Sequence, residues 1–394
     1  MTAIIFSVLI HLFVNNLNEQ AYFYFGNDNL VGVGNLKEGE KSGEWKVFYK
    51  INPENSPDPN FEKVDPEFFD KNFNKEIPIY VISFSEDIPE GVFQENYPSG
   101  AVKTLAIFEN GELENEFKEF FENGDKKSTG QFEAGKRSGE WQEYYESGQL
   151  KSSISFVDGM EEGEAIYYTP EGVIEMKFSN SKGKWNGLYQ AFFPNGELKE
   201  KGIFKDGIRS GEWFEQLNVM PEYFRKGNYL KDLKEGEWTV IDMEGKHLQT
   251  ENYQAGKLIS VIEIQNAENL KDQYLVKKGK GQRIFYDDQG FIKAKGKISK
   301  GKINGKWVFY FPNSNRITSS GRFIGTERVG KWNFYSYEGE IIDQIQYKAS
   351  PKPAVSGDSA GFSRTYQNNN QGKDSLGSAL GRFTIFSPNT PGWN

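Results

Sequence analysis

The chain has 394 residues, 56 acidic against 47 basic, a formal net charge of −9, two histidines and no cysteine. Without cysteine there is no disulfide framework, thiol nucleophile or cysteine-based zinc site, and the acidic balance gives no general attraction to nucleic acid or anionic lipid. Aromatic residues at 15% beside charged residues at 26% describe a hydrophilic chain that can still bury a core.

Residues 3–14, AIIFSVLIHLFV, open the chain as an apolar run. The run is too short to span a bilayer and has the length of the hydrophobic part of a signal peptide. We expect residues 1–18 to be such a leader, with a mature start near residues 16–21. The protein would then be periplasmic, outer-membrane-associated or secreted. No Lys or Arg precedes Lys37 and no clear A-x-A site follows; an apolar first strand, in a cytoplasmic protein, is the alternative.

From residue 19 a 24-residue period organises the sequence. G-E-W recurs at Gly43, Gly139, Gly211 and Gly236, and G-K-W at Gly305 and Gly330. Steps of 24 from Gly139 reach Asn115, Gly91, Glu67, Gly43 and Glu19 in one direction and Gly163, Gly187 and Gly211 in the other. About fourteen units result, and a fixed period of this length is the mark of a repeat architecture. The unit from Gly139 reads GEWQEYYESGQLKSSISFVDGMEE. Asn123-Gly124, Ser147-Gly148 and Asn195-Gly196 fall at offsets 8 and 9 and suit two-residue hairpin turns. A second turn, as at Ala134-Gly135, leads into the next unit. Each unit is therefore expected to be one β-hairpin.

That turn makes paired offsets sum to 17. Offset 2 is a large ring, forming a structural column of Trp45, Trp141, Trp213, Trp238, Trp307 and Trp332, with Phe117 and Tyr189 in equivalent places. Offset 15 is glycine at Gly34, Gly130, Gly202 and Gly296, so a ring is expected over bare backbone. Offset 6 should face offset 11, as Tyr145 with Leu150. On the other side of the sheet, offset 5 should face offset 12, pairing Phe120 with Lys127, Tyr144 with Lys151, Phe192 with Lys199 and Tyr286 with Lys293. The fold expected is all-β: an elongated, twisted antiparallel meander of hairpin repeats, on the order of 130 Å long at about 10 Å per hairpin.

Two stretches depart from the period. Residues 50–90 carry an acidic, proline-rich insertion, INPENSPDPNFEKVDPEFFDKNFNKE, expected to bulge as a long loop or edge element because proline removes ladder donors. Residues 254–280 degrade and are expected to form a degenerate repeat or a bend between an array over 19–253 and another over 281–348. Residues 349–394 turn Ser/Gly/Asn/Gln-rich and read as a flexible tail.

The recurring G-K-x-x-G-x-W-x-x-Y-x-x-x-G-x-L-K resembles the MORN-repeat-variant family, some bacterial members of which are described as antitoxin-like. The resemblance implies an extended antiparallel sheet used for binding, and no catalytic residues.

The chemistry visible in the sequence is sparse. Gly325-Thr-Glu-Arg-Val-Gly330-Lys331 begins like a P-loop, but Trp332 stands where Ser or Thr is needed. Glu44, Glu140, Glu164, Glu212 and Glu237 recur at offset 1; equivalent carboxylates make a solvated row, whereas acid–base catalysis needs two distinct environments. His11 lies in the leader, and His247 follows the Glu244-Gly245 turn as a surface residue. We therefore expect no enzyme, no cofactor and no metal site. The expected role is a scaffold for another protein, with partner contacts at Phe120, Tyr144, Phe192, Tyr286, Tyr310 and Tyr335, all at offset 5. Glycan binding through aromatic rows, membrane-lipid binding and an antitoxin-like role are the alternatives. Nucleic acid is not expected, and membrane contact only indirectly.

Overall fold

A computed structural model of the chain describes residues 19–24, 30–51, 64–217, 219–263 and 274–348. The expected leader, the tail, and parts of the insertion and of the bend lie outside these residues. The described chain is an open antiparallel meander of 26 strands with a single seven-residue helix. Two compact units divide at Val173 and Ile174, with eleven strands from Glu19 to Tyr168 in the first and fifteen from Ile174 to Tyr347 in the second.

The hairpin grammar holds, but its two turns exchange roles. The two-residue turns are those that join units: Ala134 and Gly135 have φ of 48° and 71°, and Glu133 pairs directly with Lys136. Both central residues are left-handed, as a type I′ turn requires. At offsets 8 and 9 at most one residue is left-handed, the glycine in most units and Asn313 in the unit from Gly305, and the turn is longer. Gly148 N–H donates to the Tyr145 carbonyl and Tyr145 N–H to the Gln149 carbonyl. The longer turn shifts the register. Tyr144 pairs with Leu150, Phe192 with Leu198 and Tyr286 with Ile292, so in these units offset 5 faces offset 11 rather than 12; in the unit from Gly305, Tyr310 faces Ile317 at offset 12, as expected. Offset 6 lies within the turn and faces no strand residue.

The glycine of G-E-W has a separate task. Between Thr129↔Gln142 and Gln131↔Ser138, one residue, Gly130, stands against three, Gly139, Glu140 and Trp141. Gly139, at φ 66°, forms this bulge. Its effect is to swing the Trp141 ring back over Gly130, in the strand of the preceding unit. The expectation of a glycine bed within the same hairpin is thus corrected: each ring lies on the glycine eleven residues before it. This holds for Trp45 on Gly34, Trp213 on Gly202, Trp238 on Gly227, Trp307 on Gly296 and Trp332 on Gly321.

These stacks are the core. The six tryptophans of this column are buried, five of them completely. Phe132, Phe204 and Phe323 meet Trp141, Trp213 and Trp332 edge-on at 5.1–5.2 Å, a favoured aromatic geometry. A cation four residues before the ring covers its outer side: Arg137, Arg209, Lys234 and Arg328 lie 4.3–4.7 Å from the ring centroids.

Residues 64–90 are not a bulging loop. Asp65 caps a helix over Pro66–Asn72, its carboxylate accepting from Glu67 N–H at 2.8 Å and Phe68 N–H at 3.1 Å, with Pro66 at the first helical position. Strand Tyr80–Ser85 then rejoins the meander in register against Trp45 and Phe93. Within the expected bend, Lys257–Glu263 and Tyr274–Lys277 are strands that pair through Val261 and Val276.

Candidate binding surface

Side chains alternate along each strand, so offsets 1, 3 and 5 lie on the side of the sheet away from the tryptophans. The six expected contact residues are all half-buried there. Phe120 and Tyr144 belong to the first unit; Phe192, Tyr286, Tyr310 and Tyr335 belong to the second. In the second unit the row is interrupted between Phe192 and Tyr286, where offset 5 holds Gln216 and Ile241.

Of the six rings Tyr310 has a lysine over it, Lys295 at 5.3 Å, but the lysines expected over Phe120, Tyr144, Phe192 and Tyr286 lie elsewhere. Lys127 and Lys151 turn to Glu119 and Glu143, at 2.7 and 3.2 Å. Lys199 lies over Phe193 and Lys293 over Tyr223. The rings instead meet aliphatic side chains across the ladder: Leu150, Leu198, Ile292, Ile317 and Ile341. Phe120 is the exception, facing Lys126. The cause is the longer turn, which moves the lysine one place along. Polar anchors hold two of the phenols. Tyr144 donates to Gln142 Oε1 at 2.6 Å, and Tyr335 lies 3.3 Å from both Ser320 Oγ and Asn333 Nδ2. The Ser320 and Asn333 hydrogen bonds draw the Tyr335 phenol below its ordinary pKa.

Two further residues share offset 5. Tyr168, counted from Gly163, is half-buried, and its carbonyl accepts the Tyr145 hydroxyl at 2.7 Å. Phe48, counted from Gly43, is buried beneath the Pro66–Asn72 helix. Phe69 of that helix meets Phe48 at 5.5 Å and Tyr22 at 5.3 Å, in a cluster with Val31, Val64 and Phe73. The spacing alone would have found both residues.

The second unit also carries an open apolar groove lined by Phe193, Pro194, Pro221, Phe224 and Met243. Its interior holds a buried ionic network. Glu215 accepts from Arg225 Nε at 2.7 Å, from the Tyr229 hydroxyl at 2.9 Å and from Lys234 Nζ. Burial pushes the Glu215 carboxyl up, but Lys234 and Arg225 outweigh it and hold it far below the carboxylate range. Glu251 is likewise depressed, burial being overcome by Arg283 and Arg225. Glu200 is raised, because burial there exceeds the attraction of Arg209. Every carboxylate and cation of this network is engaged inside the sheet. His247 is exposed, its Nε2 2.9 Å from Thr250 Oγ1. Among the described residues no cluster of three His, Asp or Glu side chains is placed to hold a metal ion.

The geometry is that of a repeat scaffold: one side closed by rings and glycines, the other carrying half-buried rings. A model of the MORN repeat variant matches residues 137–158 and 185–206, two of the hairpins just described. No curated protein matches the chain. Among solved structures, the crystal structure of TcdB2-TccC3 without its hypervariable C-terminal region is similar at 10% identity, with a TM-score of 0.14. That similarity covers 82% of this chain but 20% of that one, so the chain spans about a fifth of its length.

Proposed function

We propose that this protein is a non-catalytic β-repeat scaffold that holds another protein against the offset-5 side of its hairpins, in an exported or cell-envelope setting. The observation that carries the reading is Phe48. Among the described residues it is there that the chain lays an amphipathic helix on its own offset-5 ring, and the ring becomes buried. Phe120, Tyr144, Tyr168, Phe192, Tyr310 and Tyr335 present equivalent rings that stay half-buried. A partner seated on them would gain apolar and aromatic contact, the kind that anchors interfaces, without displacing the tryptophan core. The apolar run at residues 3–14 supports export.

The test is the full chain carrying Tyr144→Ser, Phe192→Ser and Tyr310→Ser. Capture of the partner from native cells should be lost while the circular-dichroism spectrum and the urea melt persist. Unchanged capture, or loss of the fold, would defeat the reading. Mass spectrometry of the cellular protein checks the setting: the mature chain should begin near residues 16–21, and a chain retaining Met1 would remove the argument for export.

A further inference from the structure

Charge is segregated along this chain. Residues 91–168 contain 16 acidic and 7 basic residues, whereas residues 274–348 contain 6 acidic and 15 basic. In the strands Ile292–Ser299, Lys302–Tyr310, Ile317–Ile324 and Glu327–Tyr335, the only carboxylate is Glu327, at a turn. Lys297, Lys306, Arg322 and Lys331 stand on these four successive strands, exposed, on the side away from the tryptophans. Lys306 and Arg322 are direct cross-strand partners, and Lys331 lies across the adjoining bulge from Arg322. None of the four forms an ion pair among the described residues. Like charges placed opposite one another on a sheet are unfavourable, and here no internal anion relieves them.

The opposite row exists in the first unit. Glu116, Glu140 and Glu164 occupy offset 1 on every second strand, exposed, on the same side of their sheet. Gln131 and Ser155, the cross-strand partners of the first two, are neutral. Glu116 keeps Lys118 at 2.7 Å, and Glu140 accepts from Ser153 at 2.6 Å and Gln142 at 3.0 Å. Lys306 and Lys331 also stand at offset 1 on every second strand. Both rows are built from successive hairpins, 24 residues apart in the acidic row and 25 in the basic one, and share a pitch of about 10 Å. Each also has a ring four residues further on: Phe120, Tyr144 and Tyr168 beside the acids, Tyr310 and Tyr335 beside the bases. Laid face to face, the rows match charge to charge and ring to ring.

We infer that the basic row of one copy of this chain docks on the acidic row of a second copy. This goes beyond the scaffold reading, because it needs no other protein. The contact joins two different patches, so association can continue past two copies unless rotation closes it.

Sedimentation of the full chain tests it. The weight-average mass should rise with concentration at about 50 mM salt and return to the monomer value at about 500 mM, where charges are screened over a few ångströms. Lys306→Glu, Arg322→Glu and Lys331→Glu together should weaken self-association at least tenfold, and so should Glu116→Lys, Glu140→Lys and Glu164→Lys. Mixing the two variants restores opposite charge at both contacts, native and swapped, and should restore association. A wild-type chain that stays monomeric, or a basic-row variant that associates like wild type, would overturn the inference. So would a monomer whose basic row instead binds a labelled thymidine oligonucleotide or heparin. A wild-type chain that stays monomeric yet still captures the partner would remove this inference alone and leave the scaffold reading standing.

Discussion

A tryptophan laid on the glycine eleven residues before it is the contact this protein repeats most faithfully. Gly130 has extended backbone, so its requirement for glycine comes from the Trp141 ring; a Cβ at Gly130 would overlap the indole. Trp141→Ala should cost about 3–5 kcal/mol, the usual loss for a large buried ring. Tyr144→Ala, half-buried on the other side, should cost only about 1 kcal/mol. Gly130→Ala should cost about 1–3 kcal/mol by overpacking, but almost nothing once Trp141 is Ala, because the space is then empty. Urea melts of the four chains close this cycle. Strictly additive losses would show that ring and glycine do not meet. The indole N–H adds direction: Trp141, Trp213, Trp238 and Trp332 donate to the carbonyl ten residues before, at 3.1–3.3 Å.

Among the strands, the second unit shows what happens where the ring pattern lapses. Arg283 occupies the offset-2 place of a tryptophan, fully buried, and pairs with Glu251, which faces Trp238 at a position where other hairpins have glycine. Arg225 ties Glu251 to Glu215, so ion pairs replace a ring on bare backbone across these strands. Such a set stabilises little in total, but removing one member leaves a buried charge uncompensated. Glu215→Gln should therefore cost about 3–5 kcal/mol at neutral pH. The pH dependence follows from the direction of the shifts. Glu215 and Glu251 lie below the ordinary value of 4.5, so on acidification the unfolded chain takes up their protons first. Their contribution is complete above that value and is lost as pH falls below it towards the depressed folded values. Glu200, raised by burial, acts in the opposite sense and offsets part of the loss. Urea midpoints should thus fall steeply below about pH 4.5 in the wild type and less steeply in Glu215→Gln. Parallel acid limbs would contradict the assignment.

For the molecule as a whole, stability is a sum of hairpins and the interfaces between neighbours. Interior strands bury alternate residues, as Ser152, Ile154 and Phe156 do, whereas the last described strand, Ile341–Tyr347, exposes all but Tyr347. Among the described residues it pairs with one neighbour, Glu327–Tyr335. Hydrogen exchange should therefore be fastest in Ile341–Tyr347 and slowest around the strands carrying Trp213 and Trp238. Uniform protection along the second unit would mean that it opens as one block instead. The proposed self-association and the proposed partner capture belong to this scale too, since both need many equivalent hairpins presenting one row.

The sequence by itself determined the all-β class, the 24-residue hairpin, its two turns and the tryptophan column, because period and turn chemistry are local properties of the chain. It also placed offsets 2 and 15 opposite each other, as Trp141 and Ile154 are. Tertiary structure decided which glycine each ring covers, because the bulge at Gly139 and its equivalents shifts a side chain onto the preceding strand, and such a shift leaves no mark on spacing. It likewise decided that Asp65 and Pro66 begin a helix rather than break a sheet, since the helix persists by burying Phe69 against Phe48 and Tyr22, residues brought together only by strand pairing. The offset-5 rings were legible as a row; their aliphatic cross-strand partners were not, because the longer turn changes which residue faces each ring and leaves a lysine opposite Phe120 alone.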